Sequence, residues 1–516
     1  MPFEPSTPSK YFARLLLVPS MVDVFFCALL LAAFARPAGL QVLLGDGDTG
    51  WHIRTGELVL ATGHVPVVDP FSFTRAGQPW FAWEWLSDVL FALLWRWKGL
   101  SAVAAFCGVV MALGAAILFA RLLDRGVGLA VALAASMAAV AASSVHYLAR
   151  PHVFSILFYS SALWVVERDR ARPGRAVWLL IPFTALWANL HAGFLAWGVT
   201  LAVLVGVAAA ERQWGRTRRY GLLAMGCAAA SLINPYGWKL HTHVIEYLNS
   251  KWIMDHVQEF QSPSIRSEGM VIYALLLLAA VAMAWRAPVF ERVLVLLWAF
   301  ASMRSARHVP LFALVAAPVV AGACAEFWRS AAARSGGRSA VTLLRDFSLD
   351  WGRGPRASLW LAVVAVMVIA LIPAVGFPDG RFPVQAVERN LARLSGGPRV
   401  LTSDQWADYL IFRLYPRQRV FFDGRSDFFG PGVGGDYRKL FAAEDGWREL
   451  LDRYGFELAL LPHDWPLSTM LEREPGWRHV YGDGVAVLYA RSERPRSGEL
   501  TGDKERSPVP FQRRAQ

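Results

Sequence analysis

The residues best suited to chemistry are two carboxylates one residue apart, Asp46 and Asp48, in the stretch Gly-Asp-Gly-Asp-Thr-Gly-Trp-His at 45–52. The glycines leave the backbone free to turn and present both side chains. Such a pair suits a general base with an orienting carboxylate, or a divalent cation such as Mg²⁺ or Mn²⁺ held by oxygen ligands. The alternative is a turn whose aspartates cap a following helix. His52 and the apolar segment just before favour chemistry here.

Other polar clusters are candidates for substrate binding: Arg150 with His152, then His191, then Arg304 with Arg307 and His308. Arg150 has no charge partner nearby in sequence, and a guanidinium fork matches a phosphate group. The alternatives are an arginine that contacts lipid headgroups and a histidine at position 191 that is only hydrogen-bonded. For the basic cluster 304–308, anion binding and simple anchoring of a helix end both remain open.

Three further motifs give weaker signals. Glu84 and Asp88 lie one helical turn apart, and we expect a solvated helix face, with Glu84 as a secondary candidate for substrate binding. The run 423–427, Asp-Gly-Arg-Ser-Asp, follows a predicted strand and is interpreted as a plain turn. The run 234–237, Asn-Pro-Tyr-Gly, is typical of a turn that ends a helix.

The composition is that of a multi-pass membrane protein. Of 516 residues, 55% are hydrophobic and 18% charged, whereas soluble domains carry about a quarter charged residues. The net charge of +12 does not indicate nucleic acid, because the arginines cluster in short gaps between apolar runs, where they set topology. The four cysteines all lie in apolar runs, which favours neither a zinc site nor a disulfide framework.

About eleven apolar runs are predicted to be membrane spans, with boundaries defined to within a few residues. They lie near 21–34, 101–121, 127–146, 153–167, 177–190, 194–210, 220–233, 269–285, 289–303, 309–327 and 357–377. Lys10 and Arg14 precede the first run and place the N-terminus in the cytoplasm. The tryptophan-rich segment 81–97 is predicted to lie flat in the interface, because a crossing there would put the basic gap 167–175 outside. With this topology every polar cluster named above falls at the outer face.

Composition changes after 377, where short strands alternate with helices. Strands are predicted at 399–403, 419–422, 458–461 and 485–489, and helices at 406–414 and 447–454. The predicted fold is therefore an α-helical polytopic membrane protein with a small C-terminal extracytoplasmic α/β domain. The predicted domains are a transmembrane domain over 1–378, with its outer loop at 44–99, the α/β domain over 379–491 and a disordered tail over 492–516.

The chain resembles the GT-C superfamily of polytopic membrane glycosyltransferases, near the protein mannosyltransferase and aminoarabinose transferase-like branch, in an uncharacterised bacterial group. The shared features are the acidic pair after the first span, the flat helix that begins Glu-Trp-Leu-Ser-Asp at 84–88, and the Arg-Pro turn at 150–151. The chain departs from that pattern in having Asp-Gly-Asp rather than adjacent acidic residues, and His152 after Arg-Pro.

The resemblance implies transfer of a sugar, with inversion, from a polyprenyl-phosphate donor to a lipid, glycan or protein acceptor at the outer face of a bacterial inner membrane. Asp46, with Asp48 second, would be the general base, and Arg150, His152 and Arg307 would stabilise the phosphate. The partners would be these substrates and membrane lipids. The competing hypotheses are a transporter or flippase of lipid-linked sugars and a non-catalytic membrane scaffold; the first would need polar residues near the bilayer midplane.

Overall fold

The structure is a computed structural model that describes residues 17–35, 39–335, 339–352 and 358–492. Lys10, Arg14 and the predicted tail beyond Ser492 lie outside the described residues. The helices are α1 Met21–Phe34, α2 Gly39–Leu43, α3 Asp48–Thr62, α4 Trp85–Asp124, α5 Leu129–Ser143, α6 His152–Ala171, α7 Leu180–Leu190, α8 Phe194–Ala210, α9 Trp214–Ala230, α10 Lys239–Asn249, α11 Lys251–His256, α12 Glu268–Met283, α13 Val289–Arg304, α14 Val309–Ser335, α15 Ala340–Trp351, α16 Trp360–Leu371, α17 Val384–Arg389, α18 Leu391–Leu394, α19 Asp404–Leu414, α20 Ser426–Phe441, α21 Trp447–Tyr454 and α22 Pro466–Glu472.

The chain is an integral membrane protein. Among the described residues, four helical segments are long and apolar enough to cross a membrane: Trp85–Asp124, Leu129–His146, Glu268–Arg286 and Ala306–Ser335. Shorter apolar helices occur at Met21–Phe34, Ala176–Leu190, Phe194–Ala210 and Trp360–Leu371. Every predicted span coincides with a helix, because long apolar runs have few other ways to satisfy their backbone in lipid. How many of these helices cross the membrane stays a prediction.

The tryptophan-rich segment and the span after it form one kinked helix, α4. Its backbone leaves helical geometry at Lys98 and Gly99, and Gly99 has a φ of +67°. A left-handed conformation of this kind favours glycine, because the Cβ of any other residue would clash with the backbone there. The kink therefore separates the arm 85–97 from the apolar part of α4. That the arm lies flat in the interface stays a prediction.

The C-terminal region contains a four-stranded sheet with the order β1-β2-β4-β3. Its strands are β1 Val400–Leu401, β2 Leu458–Pro462, β3 Trp477–Gly482 and β4 Ala486–Arg491. β1 and β2 are parallel, and the other pairs are antiparallel. The predicted strand at 419–422 is wrong, since Val420 makes only isolated bridges to Val400 and Ser72. β3 was missed because it is half exposed and its sequence, Trp-Arg-His-Val-Tyr-Gly, lacks clear alternation.

The outer loop that follows α3 packs directly on the C-terminal region. The backbone N–H of Phe73 donates to the Val420 carbonyl at 2.9 Å, and that of Val420 donates to the Phe71 carbonyl at 3.0 Å. The buried Arg425 guanidinium binds Asp69 at 2.8 Å and Asp423 at 2.6 Å. The interpretation of 423–427 as a plain turn is therefore wrong. These residues fasten the C-terminal region to the loop after α3, the helix at whose start the acidic pair lies.

Candidate active site

Asp46 and Asp48 lie where α3 meets α19. Asp46 Oδ1 accepts the backbone N–H of Asp48, the first residue of α3, at 2.9 Å. A Cβ on Gly47 would stand 2.2 Å from the Gln405 carbonyl oxygen, and one on Gly50 2.7 Å from that of Asp408. The glycines thus permit a close approach of α19 that a side chain would prevent. The N-cap residue of α3 is Gly47, without a side-chain cap, so Asp46 only accepts from the first residue of the helix, and Asp48 Oδ2 contacts Arg150 at 2.7 Å.

Arg150 lies among three carboxylates. Its guanidinium nitrogens are 3.0 Å from Asp46 Oδ2 and 2.7 Å from Asp48 Oδ2, and it also contacts Glu259. Glu259 in turn contacts Arg307 at 3.3 Å. Burial alone would raise the pKa of Glu259, but Arg150 and Arg307 outweigh that effect and hold this pKa well below its usual range. Arg150 therefore has partners, all of them distant in sequence.

Asp48 faces a second buried carboxyl group, that of Asp408 on α19. Asp48 Oδ1 and Asp408 Oδ2 are both buried and find no other hydrogen-bond donor among the described residues. A Cβ on Gly424 would lie 2.1 Å from the first oxygen and 2.8 Å from the second, so both lie beneath this glycine. Burial raises the pKa of Asp48 to about 7 and the pKa of Asp408 well above its usual range. Two carboxyls placed in this way cannot readily both ionise.

Glu84 forms the centre of a second polar network beside the first. Its carboxyl oxygens are 3.6 Å from His52 Nε2 and 3.5 Å from His191 Nε2. His52 Nδ1 is 2.6 Å from Asp88, and His191 Nδ1 is 2.7 Å from Ser155 Oγ. Asp88 is fully buried. The expectation that Glu84 and Asp88 form a solvated helix face is therefore wrong, because His52 of α3 and His191, which follows α7, cover that face.

The remaining candidates divide into two groups. His152 hydrogen-bonds the His146 carbonyl, and Arg307 donates to the Tyr247 hydroxyl at 2.7 Å; both side chains line the same cavity as Glu84. Arg304 is exposed and lines neither cavity described below, and His308 packs on Trp298 outside them. The predicted basic cluster thus contributes only Arg307 to the site.

Two cavities meet at Asp48 and Arg150. The helix-end cavity, of about 130 Å³, has apolar walls at Ile156, Pro310 and Leu311 and polar walls at Glu84 and Arg307. The outer-domain cavity, of about 400 Å³, lies against the C-terminal region and is lined by, among others, Asp46, Trp252, Arg381, Asp404, Tyr437 and Arg438. Both are lined by Asp48, Arg150, Tyr247, Glu259, Gly424 and Asp427.

The sequence analysis did not identify four residues of the site as functional candidates: Tyr247, Glu259, Asp408 and Asp427. Asp408 carried a usable signal, since it is one acidic residue within the otherwise apolar face of α19. Glu259 lies in the long polar interval between two predicted spans, which the topology assigned to the outer face, but nothing in its neighbours marked it. Their contacts reach residues far away in the sequence, for example Arg307 for Tyr247, 60 positions apart, and Arg150 for Glu259, 109 positions apart.

A cation at Asp46 and Asp48, as predicted, would have to compete with the guanidinium group of Arg150. Arg150 already supplies positive charge to both carboxylates. Within the described residues, no group of three or more histidine, cysteine, aspartate or glutamate side chains is arranged to hold a metal ion. A divalent cation at Asp46 and Asp48 stays a prediction.

No protein-family model and no curated protein matches the sequence. Among solved structures, the chain is similar to the crystal structure of ArnT from Cupriavidus metallidurans bound to undecaprenyl phosphate. The two share 15% identity over 90% of this chain and 97% of that chain, with a TM-score of 0.48.

Proposed function

We propose that the protein transfers a sugar, with inversion, from a polyprenyl-phosphate donor to a hydroxyl group of an acceptor at the outer face of the inner membrane. The observation that carries the proposal is the position of Asp48 and Arg150 in the wall shared by two cavities. A group-transfer enzyme has to hold two substrates on either side of one reacting centre. A buried carboxylate between two cavities meets that requirement.

The helix-end cavity suits the lipid-linked donor. Its apolar residues, Ile156, Pro310 and Leu311, begin membrane helices, so a prenyl chain in the bilayer could reach them. Arg307 lines the same cavity, and its guanidinium can form two parallel hydrogen bonds to phosphate. Although Arg307 contacts Glu259, that contact at 3.3 Å is longer than the contacts of Arg150. Arg307 is therefore the better placed of the two to bind an incoming phosphate.

The outer-domain cavity suits a polar acceptor. Asp404, Tyr437 and Arg438 offer hydrogen-bond donors and acceptors, and the Trp252 and His256 rings stack beside them with centroids 5.5 Å apart. Aromatic faces and carboxylates together are suited to the apolar and hydroxyl faces of a carbohydrate. The acceptor hydroxyl would enter from this side and meet Asp48.

Asp48 is the base in this proposal, although the sequence favoured Asp46. Of the two cavities, Asp46 lines only the outer-domain cavity, and its Oδ1 already accepts a hydrogen bond from the α3 backbone. Asp48 lines both cavities, and burial raises its pKa to about 7, which suits a base that works near neutral pH. It would remove the acceptor proton as the hydroxyl oxygen attacks the anomeric carbon and the phosphate leaves from the opposite side. Arg150 would hold Asp48 in position.

The proposal is tested with purified protein in proteoliposomes that contain a radiolabelled polyprenyl-phosphate sugar and candidate acceptors. Asp48→Asn should lower kcat by about 10²–10⁴-fold, the usual contribution of a general base. Asp46→Asn should give a smaller loss, since its role is positional. Asp436→Asn, in the C-terminal region and bound to Tyr454, is the matched control. Unchanged transfer by Asp48→Asn, or carrier translocation without transfer, would contradict the proposal.

A further inference from the structure

Glu84 has no part in the reaction as described so far, although it lines the helix-end cavity. Its carboxyl group lies between two imidazole rings, and its contacts to His52 and His191 are 3.6 and 3.5 Å long. At such lengths neither contact is a full hydrogen bond. The carboxyl group is therefore held in place by its neighbours but is still available to a ligand in the cavity.

The neighbours fix which atoms carry protons. The backbone N–H of Gly193 donates to His191 Nδ1 at 2.9 Å, so the proton of the neutral ring is on Nε2 and points at Glu84. His52 Nδ1 lies 2.6 Å from Asp88 Oδ1, and these two atoms share one proton. Glu84 thus faces an N–H donor on the His191 side, and neither imidazole is close enough to take the Glu84 proton in a full hydrogen bond.

We propose that Glu84 is the general acid of the site and gives its proton to the phosphate oxygen that leaves the sugar. This inference rests on the proposed function. The bond between the anomeric carbon and that oxygen breaks with its electron pair on oxygen, which takes the Glu84 proton. The bond to the acceptor oxygen forms, and the acceptor proton goes to Asp48. The lipid phosphate leaves as a monoanion, and both carboxyl groups then exchange protons with water.

The charges around Glu84 support this protonation state. Burial raises the pKa of Glu84 to about 8, in spite of Arg150 and Arg307, which lower it, and Asp48 and Asp427 add to the increase. The two facing imidazoles are neutral, because burial lowers the pKa of His52 and of His191 well below the usual value. Asp88 lies behind His52. Glu84 is therefore protonated at neutral pH and loses its proton as the pH rises through about 8.

The decisive variant is Glu84→Gln, which keeps the shape and the hydrogen-bond donor but cannot give up a proton. We expect kcat to fall about 10²–10⁴-fold. The wild-type rate should decline as the pH rises through about 8, and this alkaline limb should be absent in the variant. Glu388→Gln, an exposed residue of α17, is the matched control. Infrared difference spectra of wild type against Glu84→Gln at neutral pH should contain the carbonyl stretch of a protonated carboxylic acid.

Two results would overturn the inference while leaving the proposed function intact: an unchanged rate in Glu84→Gln beside an active wild type, or no protonated-acid band in the difference spectrum. A slow variant that keeps the alkaline limb would also overturn it, because Glu84 would then act only through structure. A wild-type protein with no transfer at all would overturn both proposals, and the two failures are thus distinguishable.

Discussion

At the scale of single residues, the site depends on how buried charges are matched. Arg150 is bound by Asp46, Asp48 and Glu259, so removing one of these acids would leave an imbalance in a buried place. The sequence identified Asp46, Asp48 and Arg150 because charges beside apolar runs are rare. It could not identify Glu259, whose surroundings in sequence are those of an ordinary loop.

Asp408 gives a prediction at the same scale. Burial and the facing Asp48 raise the pKa of Asp408 well above its usual value, so its carboxyl group holds the shared proton. A hydrogen bond from Asp408 lowers the pKa of Asp48, which burial raises to about 7. Asn at position 408 can still donate such a bond, whereas Ala cannot. An ionised Asp48 is required, so activity is lost as the pH falls through its pKa, and Asp408→Ala should move this acid limb to higher pH.

Asp408→Asn provides the comparison, since it keeps a hydrogen-bond donor to Asp48 Oδ1 and should leave the acid limb close to that of wild type. Transfer rates measured across a pH series decide the matter, with Asp436→Asn as the control. An acid limb at the same pH in wild type and Asp408→Ala would show that the two carboxyl groups do not interact.

At the scale of elements, the contact of α3 with α19 joins the membrane helices to the C-terminal region. Gly47 and Gly50 make this contact possible, and the backbone N–H of Gly47 donates to the Gln405 side chain at 2.7 Å. The sequence predicted α19 and α21 well, because each has an apolar face at helical spacing. It did not predict that α19 would supply a carboxyl group to the acidic loop.

Gly50→Ala tests this contact. The added Cβ would lie 2.7 Å from the Asp408 carbonyl oxygen and 2.8 Å from Phe412 Cβ, so α19 has to shift. Overpacking of this kind costs about 1–3 kcal/mol, and we expect a lower Tm together with slower transfer. Gly215→Ala is the control, because its Cβ would meet nothing within 4 Å. Equal Tm values for the two variants would contradict the packing argument.

At the scale of the whole molecule, one continuous core runs from the membrane helices into the C-terminal region. It includes Phe119 and Trp298 among the spans and Leu410 and Leu488 in the C-terminal region. The C-terminal region is thus fixed against those ends of the membrane helices where the two cavities lie. This arrangement requires both to be on the same side of the membrane.

Single cysteines test that sidedness in a background without the native cysteines. Asp464→Cys, in the C-terminal region, should react with a membrane-impermeant maleimide added outside intact cells. Arg218→Cys, in a predicted cytoplasmic gap, should react only after the membrane is opened; both positions are exposed. The positive-inside rule gives the reason. Labelling of Arg218→Cys in intact cells would contradict the predicted topology.

The sequence by itself determined where the helices lie, that polar clusters gather at one face, and which acidic pair to examine. These properties follow from apolar run length and charge spacing, which are local. The tertiary structure decided that Arg150 is shared by three carboxylates, that Glu84 is buried between two histidines, and that Asp408 faces Asp48. Ion pairing and desolvation depend on distances across the fold, and residues far apart along the chain set those distances.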